Sequence, residues 1–239
     1  VPVEIIVAKS LPALIAAQAD RRVDYAAYSA AAYAAAWQLC SCIEPMAAPI
    51  GADGSTGIRA VLLSRAGTAG SLTQAGGQRI AIASNTVWSA SGELVKAVAA
   101  VGGGAPSLVD GISAEEAERF FVAGDVDFIL GWEPVDASAA AIESGGTRAR
   151  LASKGINAGS LLSLWHSQPV RYGPHAVRAD LDGEAKRLLV AFLADLKDRQ
   201  PEIYELVEFY HQGGFRPATH EDYRTAVEAA AAIAAAPRM

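Results

Sequence analysis

Basic runs are missing from this 239-residue chain, in which 20 Lys+Arg stand against 26 Asp+Glu for a net charge of −6. Nucleic-acid binding needs a basic stripe that displaces counterions, so that class of function is excluded. Long hydrophobic runs are missing too. Although 51% of the residues are hydrophobic, the excess is mostly alanine, and no stretch reaches the ~18 consecutive apolar residues of a membrane span. There are only two cysteines, Cys40 and Cys42. One residue apart, they sit too close for an easy unstrained disulfide and have no second Cys/His pair at ligand spacing, so they are expected as small buried hydrophobes. The four histidines, His166, His175, His211 and His220, likewise have no partner at metal spacing. No G-x-S-x-G elbow or Walker-type loop occurs. No catalytic residue, metal or cofactor is therefore expected.

What is present is enough apolar material to offset the entropy of ordering, over a length that suits one large domain or two small ones. Strand-like and helix-like stretches alternate. Val3–Ala8 reads as a strand, Leu11–Ala19 as a helix, Val23–Ala27 as a strand and Ala31–Leu39 as a helix. Ile58–Ser64 and Arg79–Ala83 read as core strands. A helix from Ser89 to Val101, a strand at Ser107–Val109, a helix at Ala114–Ala123 and a strand at Asp127–Leu130 follow. Residues 144 to 160 read as a glycine-rich loop, Leu161–Trp165 as a strand, and the last third as helices over Gly183–Leu196, Pro201–Tyr210 and Tyr223–Ala235. This alternation predicts an α/β protein with mainly parallel sheets. Val1 to Val7 lack the basic start and cleavage site of a signal peptide, which implies either a cytosolic protein or a leader already removed.

Candidate site residues fall where strands hand over to helices. Trp88, Ser89, Ala90 and Ser91 follow the strand Arg79–Ala83 and open a helix. Free amides and the positive end of the helix dipole would hold a small anion there, beside two hydroxyls. The alternative is plain capping by serine. At a second junction, Tyr28 stands at the carboxyl end of a strand, where open α/β sheets bind ligands, or is an ordinary packed aromatic; Ser29 would cap the next helix. Trp132 and Glu133 follow the strand Asp127–Leu130 and would meet a cationic group of a ligand, unless they are a core tryptophan and an exposed carboxylate. His166 closes another strand.

Several segments together resemble the phosphate/phosphite/phosphonate-binding proteins of ABC importers. Val23-Asp24-Tyr25-Ala26 matches a V-D-x-A segment, Ser89-Ala90-Ser91-Gly92 an S-T-S-G helix start, and Gly124-Asp125-Val126-Asp127 a G-x-x-D strand. Gly214-Phe215-Arg216-Pro217 and Glu221-Asp222-Tyr223 match the closing segments, in the family's order. The resemblance implies a two-lobed type II periplasmic binding fold, each lobe a mainly parallel sheet flanked by helices. Lobe 1 would be residues 1–76 plus 167–239, and lobe 2 residues 77–166. It also implies an extracytoplasmic monomer that captures a small phosphorus oxyanion in an interlobe cleft and delivers it to a membrane permease. Ser89 and Ser91 would hold the anion, with Ala90 in place of the family's threonine, opposite Tyr28 and Ser29. Where the family commonly has G-S-H-D, this chain has Ile112-Ser113-Ala114-Glu115. A cytosolic enzyme on the same fold, with His166 or Glu133 as acid or base, and a ligand-sensing receptor domain are the alternatives.

Overall fold

The computed structural model describes residues 4–83, 90–142 and 144–235, the last four of them as backbone only. In chain order the elements are α1 (Leu11–Ala19), β1 (Tyr25–Ala27), α2 (Ala30–Cys40), β2 (Ile43–Gly51), β3 (Gly57–Arg65), β4 (Arg79–Ala83), α3 (Ala90–Ala100), β5 (Ser107–Gly111), α4 (Ala114–Ala123), β6 (Phe128–Val135), α5 (Gly146–Ser153), β7 (Leu161–His166), β8 (Val170–Arg171), β9 (His175–Arg178), α6 (Gly183–Arg199), α7 (Pro201–Val207), β10 (Gln212–Pro217) and α8 (Arg224–Ala235). They form two compact units: residues 1–56 with 170–239, and residues 57–169. Residues 57–76, assigned to lobe 1 by resemblance, fall in the second unit because β3 is hydrogen-bonded along its length to β6 and β7.

Unit 1 is built on a four-stranded sheet in the order β1-β9-β2-β10. Every pairing in it is antiparallel, which corrects the expectation of a mainly parallel sheet. Strands from the two ends of the chain alternate across it, so neighbouring strands are not joined by the crossover helices that make parallel pairs. One face packs on α1, α2 and α8 around Tyr33 and Tyr223, and the other on α6 and α7 around Leu193, Leu196, Tyr204 and Phe215. Period-2 alternation directs Ala48 to the first core and Ala47 to the second. Alanines at positions 30, 32, 34 and 36 keep α2 thin enough to pack closely, and all four are buried.

Unit 2 holds the sheet β5-β4-β6-β3-β7. Here β4 pairs in parallel with β5 and β6, with α3 and α4 as the crossovers, while β3 runs antiparallel to β6 and β7. Both faces are covered. Leu62, Ile80 and Leu130 pack with Leu94 and Val98 of α3, whereas Val61, Leu63 and Ile129 pack with Phe121 of α4 and Leu151 of α5. Sheets covered on both sides read as near-continuous apolar runs, and β3 and β4 do so.

Three local expectations change. Residues 4–8 have no regular structure, and Ile5 and Val7 are almost fully exposed. The region read as a glycine-rich loop contains α5, which starts after Gly145. Cys40 and Cys42 are joined in a disulfide with their Cα atoms 5.0 Å apart, inside the usual span. Ser41 caps α2 in the left-handed conformation at φ 48°, and that reversal brings the two side chains together. Among the described residues no helix is long and apolar enough to cross a membrane.

Candidate functional site

Trp88 and Ser89 lie outside the described residues. Ala90 and Ser91 are the first two residues of α3, which follows the parallel strand β4. Ala90 is buried against Leu94 and the sheet, and Ser91 is half-buried. The first turn carries Glu93.

At the other junction Tyr28 is buried, and its hydroxyl donates to Gln18 Oε1. Burial pushes the phenol up to about 12. Ser29 caps α2, its hydroxyl accepting from the Ala32 amide at 3.1 Å. The backbone here is held against Gly173, where a Cβ would lie 1.8 Å from the Tyr28 carbonyl oxygen. The amide of Tyr28 donates to the Pro174 carbonyl at 2.9 Å.

Trp132 and Glu133 lie within β6 rather than after it, because β3 carries the pairing on to Gly57–Val135. The same register sets Arg59 opposite Glu133. Arg59 donates Nε and one terminal nitrogen to Glu133 Oε1, both at 2.7 Å. The carboxylate is 7% exposed, so its charge is already met inside the protein. Trp132 has the Arg150 guanidinium 5.3 Å from its ring centroid, which supplies the cation–π partner. His166 is exposed at the end of β7, opposite Val61. Tyr28 and Ser29 are therefore gathered in unit 1, and Ala90, Ser91, Trp132, Glu133 and His166 in unit 2.

One constellation was not expected from the sequence. In unit 1 Tyr25 hydroxyl pairs with His175 Nδ1, and His175 Nε2 lies 4.0 Å from Glu208 Oε2. Glu208 Oε1 accepts from the Tyr210 and His211 amides at 3.1 and 3.3 Å and pairs with His211 Nδ1 at 2.9 Å. The His211 ring packs against Tyr172 at a tilt of 44°, with ring centroids 4.0 Å apart, and the Tyr172 hydroxyl pairs with Ser55 at 2.7 Å. The partners are far apart in the chain, so only the Glu208–His211 spacing leaves a local signal. No group of three His, Cys, Asp or Glu able to hold a metal occurs among the described residues.

Burial alone would raise the Glu208 carboxyl, but the hydrogen bonds of His175 and His211, the charge of His211 and the Tyr210 amide outweigh it and hold it far below the ordinary 4.5. A depressed native value contributes stability that is fully present above the unfolded value and is lost as pH falls. Acid unfolding of Glu208→Gln is accordingly expected to depend less on pH below about 4.5 than that of the parent. Superimposable curves from circular dichroism titrations would show that the carboxylate is not held in this way.

Residues 1–101 match the family model of the ABC-transporter periplasmic substrate-binding protein for phosphonate. No curated protein matches the sequence. Among solved structures, XAC2383 from Xanthomonas citri, bound to ATP, is 17% identical, with a TM-score of 0.61 over 97% of this chain and 85% of that one. The periplasmic aliphatic sulphonate-binding protein SsuA from Escherichia coli is 12% identical, with a TM-score of 0.50 over 94% and 79%. PhnD1 from Prochlorococcus marinus, in complex with methylphosphonate, is 10% identical, with a TM-score of 0.48 over 96% and 84%. Over residues 1–101 the chain is thus similar to the phosphonate family of ABC-transporter periplasmic substrate-binding proteins, and it shares its fold with XAC2383 and the E. coli sulphonate-binding protein.

Proposed function

We propose that this protein captures a small phosphorus oxyanion, namely phosphonate, phosphite or phosphate, and presents it to the permease of an ABC importer. The observation that carries the reading is the family match over residues 1–101, which takes in the whole Trp88–Gly92 segment. The described part of that segment, Ala90 to Gly92, opens α3, which follows the parallel strand β4 in sequence, and a helix start favours an anion through its free amides and dipole. Ser89 and Ser91 would donate hydroxyls to the anion's oxygens, with Trp88 and Ala90 beside them. Trp132 and His166 would meet the remainder of the ligand, while Glu133 is committed to Arg59.

Isothermal titration with methylphosphonate, phosphite, phosphate, 2-aminoethylphosphonate, an alkanesulfonate and ATP tests the ligand class. A phosphorus oxyanion is expected to bind in preference to the sulfonate. The Ser89→Ala/Ser91→Ala variant is expected to weaken it by about 1.5–3 kcal/mol for each charge-assisted bond removed. Unchanged affinity in the variant would remove the serines from the site. Preference for the sulfonate would overturn the ligand class.

A further inference from the structure

We propose that unit 2 holds a second anion site, whose lining includes none of the residues Trp88–Ser91, in the cavity lined by Arg59, Glu133, Arg148 and Ser163, and that it takes an oxyanion of phosphate or sulfate size. The cavity measures about 110 Å³. At about 10–15 Å³ of such volume for one water, it has room for a small oxyanion.

Its lining sets the sign of the ligand. Among the described residues, the charged groups of the lining are two guanidinium groups and one carboxylate. Arg59 is committed: besides Glu133 Oε1 it donates to the Ala139 carbonyl at 3.2 Å. Arg148 is different. It donates to the carbonyls of Ala158 and Leu161 at 3.1 and 2.8 Å and to Ser163 Oγ at 2.8 Å, and it has no acidic partner among the described residues. These neutral acceptors hold the guanidinium in place without discharging it. An arginine fixed by neutral acceptors on a small cavity is the arrangement that charge-assisted, bidentate oxyanion binding uses.

Two further features favour an anion. Gly145, also on the lining, is the N-cap of α5 and brings no side chain to cap it. The dipole of α5 adds to the positive potential there. Ser163 presents a hydroxyl from β7. Glu133 keeps its charge on Arg59, which prevents two unpaired arginines from repelling each other and makes the site selective for a single small anion.

The site rests on these residues and not on the family assignment, and the two readings separate experimentally. Phosphate and sulfate are titrated into the intact protein, Ser89→Ala/Ser91→Ala, Arg148→Gln, Arg148→Lys and Ser163→Ala, with thermal unfolding without ligand checking each fold. A binding component is expected that survives in the double serine variant. Arg148→Gln should weaken that component by about tenfold to a hundredfold, as loss of a charge-assisted hydrogen bond does, and Arg148→Lys by less. Ser163→Ala, on an exposed position of β7, should weaken it while leaving unfolding unchanged. The component should also fall as ionic strength rises. No binding in the parent, a component lost only with the serines, or equal affinity in Arg148→Gln and Ser163→Ala would overturn the proposal. Failure of phosphonate binding with this component intact would count against the transport ligand alone.

Discussion

The double variant Arg150→Ala/Lys154→Ala is expected to lose about 3–5 kcal/mol of unfolding stability, because it strips both partners from a buried carboxylate. Glu118 on α4 is only 2% exposed, and its two oxygens are held by Arg150 at 2.6 Å and Lys154 at 2.7 Å, both carried by α5 or its C-cap. The cations themselves are about a third exposed, so water compensates them far better than it can compensate Glu118. The asymmetry fixes the order of the variants. Removing the carboxylate with Glu118→Gln should cost less than removing both cations, and adding Glu118→Gln to the double variant should restore part of the loss. For a chain of this size the double variant should melt about 6–20 °C lower. Differential scanning fluorimetry decides it: a double variant as stable as the parent would mean that the pair of cations does not support Glu118.

The second large effect is expected at Gly146, the first residue of α5. Its φ of +71° is a conformation that side-chain-bearing residues adopt at a cost of about 1–2 kcal/mol, and a Cβ there would lie 2.4 Å from the Trp132 carbonyl oxygen and 2.8 Å from the Glu133 Cα. Both atoms are backbone of β6 and cannot swing aside, so overpacking adds about 1–3 kcal/mol. Gly146→Ala should therefore cost about 2–5 kcal/mol in all, whereas Gly155→Ala, at φ +90° with open space around it, should pay the conformational part alone. Chemical denaturation of the two variants separates the terms. Equal losses would show that β6 yields to the added methyl group.

Much of unit 2 was legible because its central strands are buried on both faces. Ile58–Ser64 and Arg79–Ala83 have no polar face to disguise them, and Gly124 ends α4 in the left-handed conformation that glycine allows. Unit 1 was harder. Strand β2 carries Pro45 and Pro49, residues that argue against a central strand, yet it is paired on both sides, with a register irregularity next to Pro45. In β10 the Gly213-Gly214 pair resembles a turn; there a Cβ on Gly213 would meet the Gly51 carbonyl oxygen at 2.2 Å, so the glycine serves close approach of two strands. Helix α5 was hidden by the glycines ahead of it and by arginines whose role depends on distant partners.

The candidate site was legible only as strand ends and helix starts. Hydrogen-bond register made the difference at Glu133: its partner Arg59 is 74 positions away, and no local pattern announces the pairing. The cluster around Glu208 is similar, since Tyr25 and His175 are 150 positions apart. Tyr28 shows the converse. Its place at a strand end was foreseen, while its bond to Gln18 followed from the way α1 packs.

The alternation of early and late strands in unit 1 has a consequence for how the chain acquires its structure. Strands β1 and β2 leave the ribosome, or the export channel, long before β9 and β10, and in the sheet they touch mainly those late arrivals. Residues 57–169 form a continuous stretch that carries β3 to β7, five of the six strands of their sheet, so their nucleus can condense while the first 56 residues still wait for partners. Closing contacts across so long an intervening segment is entropically slow. Refolding should accordingly show a fast phase from the inserted unit and a slow one from the unit that encloses it in sequence, and the early segment, with its exposed Ile5 and Val7, is where a holding chaperone would find its foothold.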